Sequence, residues 1–135
     1  MNLPDLSIII VNFNTKDATL GCLKSVFASK TKFSFEVIIV DNASQDDSVK
    51  AIKKLYPQVK LILNKSNLGF AIANNQAAKI AQGKYLWLLN SDTILKPNTL
   101  DLLFQSAKKH NSYLASCTLL NPDGSIQPQG GALPT

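Results

Sequence analysis

The stretch SIIIVNFN, residues 7–14, places an unbroken apolar run directly before Asn12, Phe13 and Asn14. A short run rich in β-branched side chains is typical of a strand that is buried on both faces of a parallel sheet. The stretch VIIVDNASQDDS, residues 37–48, repeats the arrangement. Further along the chain, similar short runs alternate with segments of helical period. The sequence therefore predicts an α/β domain with a mostly parallel central sheet and flanking helices.

Five strands and four helices are predicted from this alternation. The strands are expected at 6–11, 35–40, 59–63, 85–89 and 113–120, and the first helix at 16–29. The second helix should begin at Ser44, whose spacing to Asp47 resembles a capping box, and stop at Pro57. The third should end at Gly83 as its C′ glycine, and the fourth should run from Pro97 to about His110. The residues expected to face the core from these helices are Leu20, Leu23, Phe27, Val49, Ile52, Leu55, Phe70, Ala73, Ala77, Ile80, Leu100, Leu103, Phe104 and Ala107.

Length and composition indicate a soluble globular protein. A chain of 135 residues can bury one continuous core, so we expect a single domain over residues 1–135. Hydrophobic residues make up 45% of the sequence, but no apolar run is long enough to span a bilayer. The first residues lack the basic segment and long apolar run of a signal peptide. We therefore expect a cytoplasmic location.

The charge and the cysteines exclude several classes of protein. The net charge of +5 comes from 14 lysines, and the chain contains no arginine. These lysines are scattered along the sequence without interleaved aromatic residues, so we predict solvated helix faces and no nucleic-acid partner. Attraction to anionic phosphates or lipid surfaces is the alternative. Cys22 and Cys117 are far apart and accompany a single histidine, His110, so we expect two buried thiols and neither a zinc site nor a disulfide framework.

Polar residues follow four of the predicted strands at the point where each strand ends. They are Asn12 and Asn14, Asp41 and Asn42, Asn64, and the tripeptide Asn90-Ser91-Asp92. Ligands of parallel α/β sheets bind outside the carboxyl ends of the strands, where such groups can bind a base, a ribose and a divalent cation. The alternative is that turns and helix caps favour Asp and Asn at these positions. Neither GxxxxGK[ST] nor GxGxxG is present, so Asp92 is the best candidate to bind Mg²⁺ beside a diphosphate.

Five segments, in order, resemble the amino-terminal half of glycosyltransferase family 2. They are SIIIVNFN, VIIVDNASQDDS, NKSNLGFAIANNQA, YLWLLNSDT and LLNPDGSIQ, and together they span nearly the whole chain. The similarity is greatest to the bacterial rhamnosyltransferase-like members. It implies the GT-A fold, a Rossmann-like sandwich that binds a nucleotide-diphospho-sugar.

The resemblance implies a role for each matching residue. Asp41 would contact the base or ribose, and Asn12 and Phe13 would line the same pocket. Asn67 and Gly69 would form the loop beside the nucleotide. The other matching positions are Asn74 and Asn75 near the donor, and Asn90, Ser91 and Asp92 at the DXD motif, where Asp92 would hold Mg²⁺ or Mn²⁺. From the residues alone, Gly69 and Phe70 are better explained by a tight turn followed by a core aromatic.

The resemblance also implies an inverting transfer from dTDP-rhamnose or a UDP- or GDP-sugar to a glycan or lipid-linked acceptor of polysaccharide synthesis. Peripheral association with the inner face of the membrane and oligomer formation are compatible with it. No catalytic base is expected within this chain. Glu36 begins a strand at the wrong edge, Asp46 and Asp47 fit a helix start, and Asp123 lies in a turn. The base is expected beyond Thr135.

Two rival interpretations remain from sequence alone. A sugar-1-phosphate nucleotidyltransferase shares the overall fold, but its glycine- and arginine-rich phosphate loop has no counterpart in VNFNTKDATLG, residues 11–21. A non-catalytic nucleotide- or sugar-binding module fits the absence of a catalytic base. An acidic pair beyond Thr135 would favour the transferase over the module.

Overall fold

A computed structural model describes residues 3–112 and 114–128. Helices and strands alternate along the chain, which confirms the predicted α/β class. In chain order the elements are β1 (Leu6–Asn12), α1 (Lys16–Phe27), β2 (Phe35–Asp41), α2 (Ser48–Leu55), β3 (Lys60–Leu63), α3 (Phe70–Ile80), β4 (Tyr85–Asn90) and α4 (Thr99–Lys109).

The four strands are all parallel and lie in the order β3-β2-β1-β4. The chain builds outward from β1 to β3, and α3 then carries it back across the sheet to β4. In the register, Asn12 pairs with Asp41 and Val11 pairs with Asn90. The strand ends with polar residues therefore meet at one edge, the carboxyl edge. The carboxyl edge is where open α/β sheets bind their ligands.

Each face of the sheet has its own core. Ile8 and Ile10 pack with residues of α1, α2 and α4 on one face, whereas Ile9 packs beneath α3 on the other. The three isoleucines are fully buried, and each contributes on the order of 2 kcal/mol. On α3, the fully buried residues of this core are Ala73 and Ala77, whose small side chains let the helix lie close to the strands.

Three residues of the predicted core-facing stripes are largely exposed, so those assignments were wrong. Leu55, Phe70 and Ile80 are 57%, 55% and 46% exposed. Each lies at the first or last position of its helix, whereas the buried residues that pack on the sheet lie further inside, at Ile52, Ala73 and Ala77. Periodicity identifies the face of a helix but does not show where the sheet beneath it ends.

Two predicted helix boundaries were also wrong. The second helix begins at Ser48 rather than Ser44, because residues 44–47 form a loop whose polar groups bind the neighbouring strand ends. The third helix ends at Ile80, and Gly83 is not its C′ glycine. A Cβ atom on Gly83 would lie 2.3 Å from the backbone nitrogen of Ser7, so close approach to β1 requires glycine at this position.

No strand forms among residues 114–120, the described part of the predicted fifth strand. Residues 114–119 are irregular, Tyr113 lies outside the described residues, and Leu120 makes one isolated antiparallel bridge to Ile126. Leu114 is 92% exposed, so this segment buries too little apolar surface to join the sheet. In the described part of the chain β4 is thus an edge strand, with Leu86 and Leu88 half exposed. No helix within residues 3–112 and 114–128 has the length and apolar character needed to cross a membrane.

Candidate functional site

Asn12 is the centre of a hydrogen-bond network at the carboxyl edge. Its Nδ2 lies 2.6 Å from Asp41 Oδ1, 2.8 Å from Ser48 Oγ and 3.0 Å from Ser44 Oγ. Its Oδ1 accepts hydrogen bonds from Thr15 at 2.9 Å and Thr19 at 2.7 Å. An amide nitrogen has two hydrogens, so it can donate to only two of the three acceptors at once. We call these six residues the Asn12 network.

Asn12 is completely buried, and its side-chain groups are used within the protein. The structure therefore places it beneath the surface of the edge. Phe13, the next residue, is 45% exposed. Their predicted contacts with a nucleotide remain predictions, but only Phe13 presents a side chain to solvent.

Asp41 is held on both carboxylate oxygens. Oδ1 accepts the hydrogen bond from Asn12, and Oδ2 accepts one from the backbone amide of Ser44 at 2.9 Å. Its side chain is 3% exposed. The two bonds fix the orientation of the carboxylate, whose remaining lone pairs are the part of the group that a ligand could use.

Asp46 joins the starts of two helices to this network. One of its oxygens accepts from the backbone amide of Lys16 at 2.8 Å, and the other accepts from the amide of Ser48 at 3.1 Å. Burial acts to raise the pKa of Asp46, but hydrogen bonds from Ser48 and Lys16 outweigh it and the pKa is lowered. Asp46 thus caps α1 and α2, whereas Asp47 makes no side-chain cap despite lying at the helix start. As predicted, both aspartates lie at the start of a helix.

A second network consists of four side-chain amides, those of Asn42, Asn64, Asn67 and Gln76, which we call the amide chain. Asn64 and Gln76 form a reciprocal pair at 2.9 and 3.0 Å. Asn64 also donates to Asn42 at 2.8 Å, and Asn42 donates to Asn67 at 3.1 Å. The amide chain therefore connects the ends of β2 and β3 to α3 and to the loop that joins β3 to α3.

The Asn67-Leu68-Gly69 loop leads into α3 through a tight turn. Gly69 has φ +82°, a conformation that side-chain-bearing residues rarely adopt, and its amide donates to Asn67 Oδ1 at 2.9 Å. The turn at Gly69 is therefore confirmed. On the helix, Asn74 is buried and donates to the Phe70 carbonyl at 2.9 Å, whereas Asn75 is exposed. Of the two asparagines predicted to lie near the donor, only Asn75 presents its side chain to solvent.

The tripeptide Asn90-Ser91-Asp92 turns away from the end of β4. Thr93 donates its amide to the Asn90 carbonyl at 3.2 Å, which closes the turn. Ser91 Oγ lies 3.3 Å from Thr15 Oγ1, so this turn touches the Asn12 network. Asn90 and Asp92 are exposed.

Cys22 lies beneath the same turn and is buried, as predicted; Cys117 is only partly buried, so that prediction was wrong. Burial, and then the negative charge of Asp92, raise the pKa of the Cys22 thiol to about 12. The thiol therefore remains protonated at neutral pH and is a poor nucleophile.

The oxygen donors of this turn fit a hard divalent cation. Within residues 3–112 and 114–128, no three His, Cys, Asp or Glu side chains are grouped as a complete set of metal ligands. Asp92 supplies one exposed carboxylate. Mg²⁺ is commonly held by one or two carboxylates together with the phosphate oxygens of a substrate. The residues present thus fit a metal that a diphosphate helps to bind.

The hydroxyl groups that surround Asn12 and the role of Gln76 were not predicted from the sequence. Thr15 and Thr19 lie four residues apart, a spacing that places both on one side of α1. Gln76 lies three residues after Ala73, on the side of α3 that faces the sheet. These two spacings were the signals in the sequence from which the positions of these side chains could have been predicted.

All of these residues lie within the part of the chain that resembles known proteins. The family model described as "Glycosyl transferase family 2" matches residues 7–131. The chain is 33% identical over 134 residues to a chondroitin synthase of Pasteurella multocida strain Pm70, a match that covers 95% of this chain and 14% of that protein. It is 31% identical over 115 residues to the uncharacterized glycosyltransferase YibD of Escherichia coli K12, covering 83% of this chain and 33% of that protein.

Solved structures show the same fold. Residues 1–349 of TarS from S. aureus superpose with a TM-score of 0.70 at 24% identity, covering 79% of this chain and 33% of that one. The mannosyltransferase PcManGT of Pyrobaculum calidifontis, solved with GDP-Man and Mn²⁺, gives 0.63 at 22% identity, covering 74% and 31%. The fold is the GT-A arrangement.

The chain spans a minor part of each of these relatives, at most about a third of their length. The match to the family model, in contrast, covers most of this chain. On that match, the chain belongs to glycosyltransferase family 2.

Proposed function

We propose that this chain binds the nucleotide-diphospho-sugar donor of an inverting glycosyltransferase, which transfers the sugar to a glycan or lipid-linked acceptor. One observation carries the proposal: at the carboxyl edge the Asn12 network, which holds the buried Asp41 carboxylate on both oxygens, extends through Thr15 to the turn that presents Asp92. Membership of the family supports it. In this proposal residues 1–135 act as one donor-binding unit.

The donor contacts would come from the exposed residues around the two networks. The half-exposed ring of Phe13 follows Asn12 and offers a face on which a base can stack. Asp41 would accept a hydrogen bond from the base or ribose. The loop residues Asn67 and Gly69, and Asn75 on α3, would flank the nucleotide. Asn12 and Asn74 would act from beneath, because both are buried.

The diphosphate would lie against the Asn90-Ser91-Asp92 turn. Asp92 would hold Mg²⁺ or Mn²⁺, which offsets the negative charge of the departing nucleoside diphosphate when bound. Asn90 adds a neutral amide where a strict DXD motif has a second carboxylate. Metal binding should therefore be weak before the nucleotide supplies further oxygen ligands.

The reaction we propose is a single displacement at the anomeric carbon. The acceptor hydroxyl oxygen forms the new bond while the bond to the diphosphate oxygen breaks, and a general base takes the hydroxyl proton. No residue of this chain is proposed as that base. Glu36, the one glutamate, lies at the opposite edge and is paired with Lys60 at 2.7 Å.

The choice of donor is the most detailed part of the proposal. One TarS structure contains UDP and the PcManGT structure contains GDP-Man, so both bases occur among proteins of this fold. The rhamnosyltransferase-like motifs add dTDP-rhamnose as a third candidate. We place the protein in the cytoplasm, at the inner face of the membrane, where lipid-linked acceptors of polysaccharide synthesis are found. Self-association through the half-exposed leucines of β4 is part of the same proposal.

Two rival functions are less well supported. Family membership speaks against a sugar-1-phosphate nucleotidyltransferase. A binding module without catalysis would share the donor site and differ only in lacking the base, so nucleotide binding by itself does not separate it from the transferase. Release of free sugar or a glycosylated product from a nucleotide-sugar does.

The test is titration calorimetry of UDP, dTDP and GDP into this chain with Mn²⁺, with Mg²⁺ and with EDTA. We expect one nucleotide to bind in the presence of metal. Asp92→Ala should weaken that binding by about tenfold or more, since it removes the carboxylate ligand. Asp17→Ala is the matched control, because Asp17 is also an exposed carboxylate at the carboxyl edge, lies in the first turn of α1 and is not one of the proposed donor contacts.

Three outcomes are informative. Equal weakening by both substitutions would mean that a general effect on the chain, and not a metal site at Asp92, lowers the affinity, because removal of a carboxylate by itself favours an anionic nucleotide. Unchanged binding in EDTA would contradict the metal but not the pocket. If the folded chain binds none of the three nucleotides, it is not a sufficient donor site.

A further inference from the structure

The lysines are scattered along the sequence but not in the fold. In this α/β arrangement the helices run back against the strands, so their last turns lie at the amino edge of the sheet, where the strands begin. Every helix has lysine in its last turn: Lys24 on α1, Lys53 and Lys54 on α2, Lys79 on α3, and Lys108 and Lys109 on α4. All six are exposed.

Four more lysines lie at the same edge outside the helices. Lys30 and Lys32 are in the loop before β2, Lys60 begins β3, and Lys84 immediately precedes β4. Ten of the 14 lysines thus surround an edge whose acidic residues are Asp5 and Glu36. Hydrogen bonds from Ser34, and then the charges of Lys108 and Lys84, lower the pKa of Asp5, as expected for lysines close to it. We call this surface the basic edge.

The carboxyl edge has the opposite balance. The remaining lysines, Lys16, Lys50, Lys65 and Lys96, are outnumbered there by Asp17, Asp41, Asp46, Asp47, Asp92 and Asp101, which lie in first turns or in loops that follow strands. The net charge of +5 therefore conceals a strong separation of charge between the two edges.

Helix dipoles explain only part of this distribution. Lysine in a last turn is favourable on its own, because it lies near the negative end of the helix. That reason does not apply to the loop residues Lys30, Lys32 and Lys84. Apolar side chains are also exposed among the lysines: Leu3 precedes β1, Leu55 ends α2, and Ile80 ends α3, and they are 66%, 57% and 46% exposed.

We infer that the basic edge docks on an anionic lipid surface. Exposed lysines interspersed with apolar side chains are the combination that binds a charged bilayer interface, where the apolar groups enter the headgroup region. Lysine attracts such a surface as a point charge, whereas specific binding of phosphates is more often achieved by the planar fork of arginine, which this chain lacks.

The alternative partner is an acidic polymer, and the exposed apolar side chains among the lysines disfavour it. An acidic polymer offers Leu3, Leu55 and Ile80 no apolar contact, whereas the headgroup region of a bilayer accepts them. Strands of seven residues separate the two edges by about 20 Å, since each residue advances roughly 3.3 Å. With a membrane at the basic edge, the acceptor that reaches the donor site would therefore be a glycan that extends away from the bilayer surface.

The test is sedimentation of the chain with vesicles of phosphatidylcholine, with and without about one third phosphatidylglycerol. We expect binding only to the anionic vesicles, and loss of binding when salt is raised from about 0.05 M to 0.5 M. Replacing Lys30, Lys32 and Lys84 together by Gln should weaken binding on the order of 100-fold, because each lysine near such a surface contributes about fivefold. Circular dichroism checks that the variant is folded.

A matched variant replaces Lys50, Lys65 and Lys96 by Gln, which changes the net charge by the same amount at the other edge. It should retain vesicle binding. Leu55→Gln should weaken binding several-fold, whereas Leu102→Gln, at a similarly exposed leucine near the start of α4, should not.

Equal weakening by the two triple variants would overturn the inference, because net charge alone would then explain binding. No binding to anionic vesicles would also overturn it. Binding to soluble polyglutamate but not to vesicles would show that an acidic polymer is the partner. Nucleotide titration of the Lys30, Lys32 and Lys84 variant should match the unmodified chain, which separates this inference from the donor site.

Discussion

Replacing Asn12 by Ala should remove the centre of the network at the carboxyl edge while leaving the core of β1 intact. The side chain is completely buried and donates to Asp41 while accepting from Thr15 and Thr19. Alanine satisfies none of these groups. The substitution therefore tests whether the network stabilises the fold or only accompanies it.

The expected loss can be worked out from the contacts. The bond to the Asp41 carboxylate is charge-assisted and contributes about 2 kcal/mol, whereas each neutral bond contributes about 1 kcal/mol. Nδ2 can donate to only one further acceptor at a time, so four bonds are lost at most. Water entering the vacated space will satisfy part of what remains. We expect the free energy of unfolding to fall by about 3–4 kcal/mol.

Urea denaturation followed by far-ultraviolet circular dichroism measures this loss. With a slope of about 2 kcal/mol per molar urea, the midpoint should fall by roughly 1.5–2 M. Asn75→Ala is the control, because Asn75 is exposed on α3 and its replacement should change stability by less than about 0.5 kcal/mol. A loss below about 1 kcal/mol for Asn12→Ala would refute the stabilising role of the network.

Asn12→Asp gives a second test with a distinct signature. It would place a carboxylate where the amide now lies 2.6 Å from an oxygen of Asp41. Two buried carboxylates at this distance cannot both ionise readily, so the pair should keep a proton at a raised pKa. A group whose folded pKa is raised stabilises less as pH rises through that value. The variant should therefore be rescued by acidification, unlike Asn12→Ala.

Three further predictions concern residues away from the donor edge. Burial opposes ionisation of Glu36, but hydrogen bonds, the first of them from Lys60, hold its pKa below the ordinary 4.5. The ionised carboxylate therefore stabilises the fold above pH 4.5, and this stabilisation is lost as the pH falls through the lowered pKa of Glu36. Glu36→Gln should accordingly flatten the pH dependence of unfolding below about pH 5. Gly83→Ala should lower the free energy of unfolding by about 1–3 kcal/mol, because its Cβ would meet the Ser7 backbone; an unchanged urea midpoint would contradict this. Cys22 should resist iodoacetamide at pH 8 in the native state and react on unfolding, as peptide mass mapping can show, since burial and its raised pKa both suppress the thiolate.

Four of the five predicted strands form, because their signal is local. The apolar runs of β1, β2 and β4 each end in a polar residue, and the structure brings those ends to one edge in the expected parallel sheet. The candidate residues at that edge, from Asn12 to Asp92, could therefore be selected without coordinates. Their proximity follows from topology alone.

What the sequence could not predict depends on distant partners. Ser44 and Asp47 have the spacing of a capping box, but Ser44 instead bonds Asn12, 32 positions away, and the helix starts later. Gly83 lies where a C′ glycine is expected, yet glycine is required there because the backbone of β1, 76 positions away, approaches it closely. Local patterns were outweighed by tertiary contacts in both cases.

The residues that most clearly mark the strand ends in the sequence are not the residues whose side chains are open to a ligand. Asn12 and Asn42 directly follow or end their strands, and both are buried with their amides committed to the Asn12 network and the amide chain. Phe13 and Asp92, in contrast, remain exposed. Buried amides with fixed partners do not reorganise when a ligand arrives, so they hold the exposed groups in place in advance. We therefore expect substitutions in the two networks to lower stability and nucleotide affinity together, and substitutions of Phe13 or Asp92 to lower affinity alone.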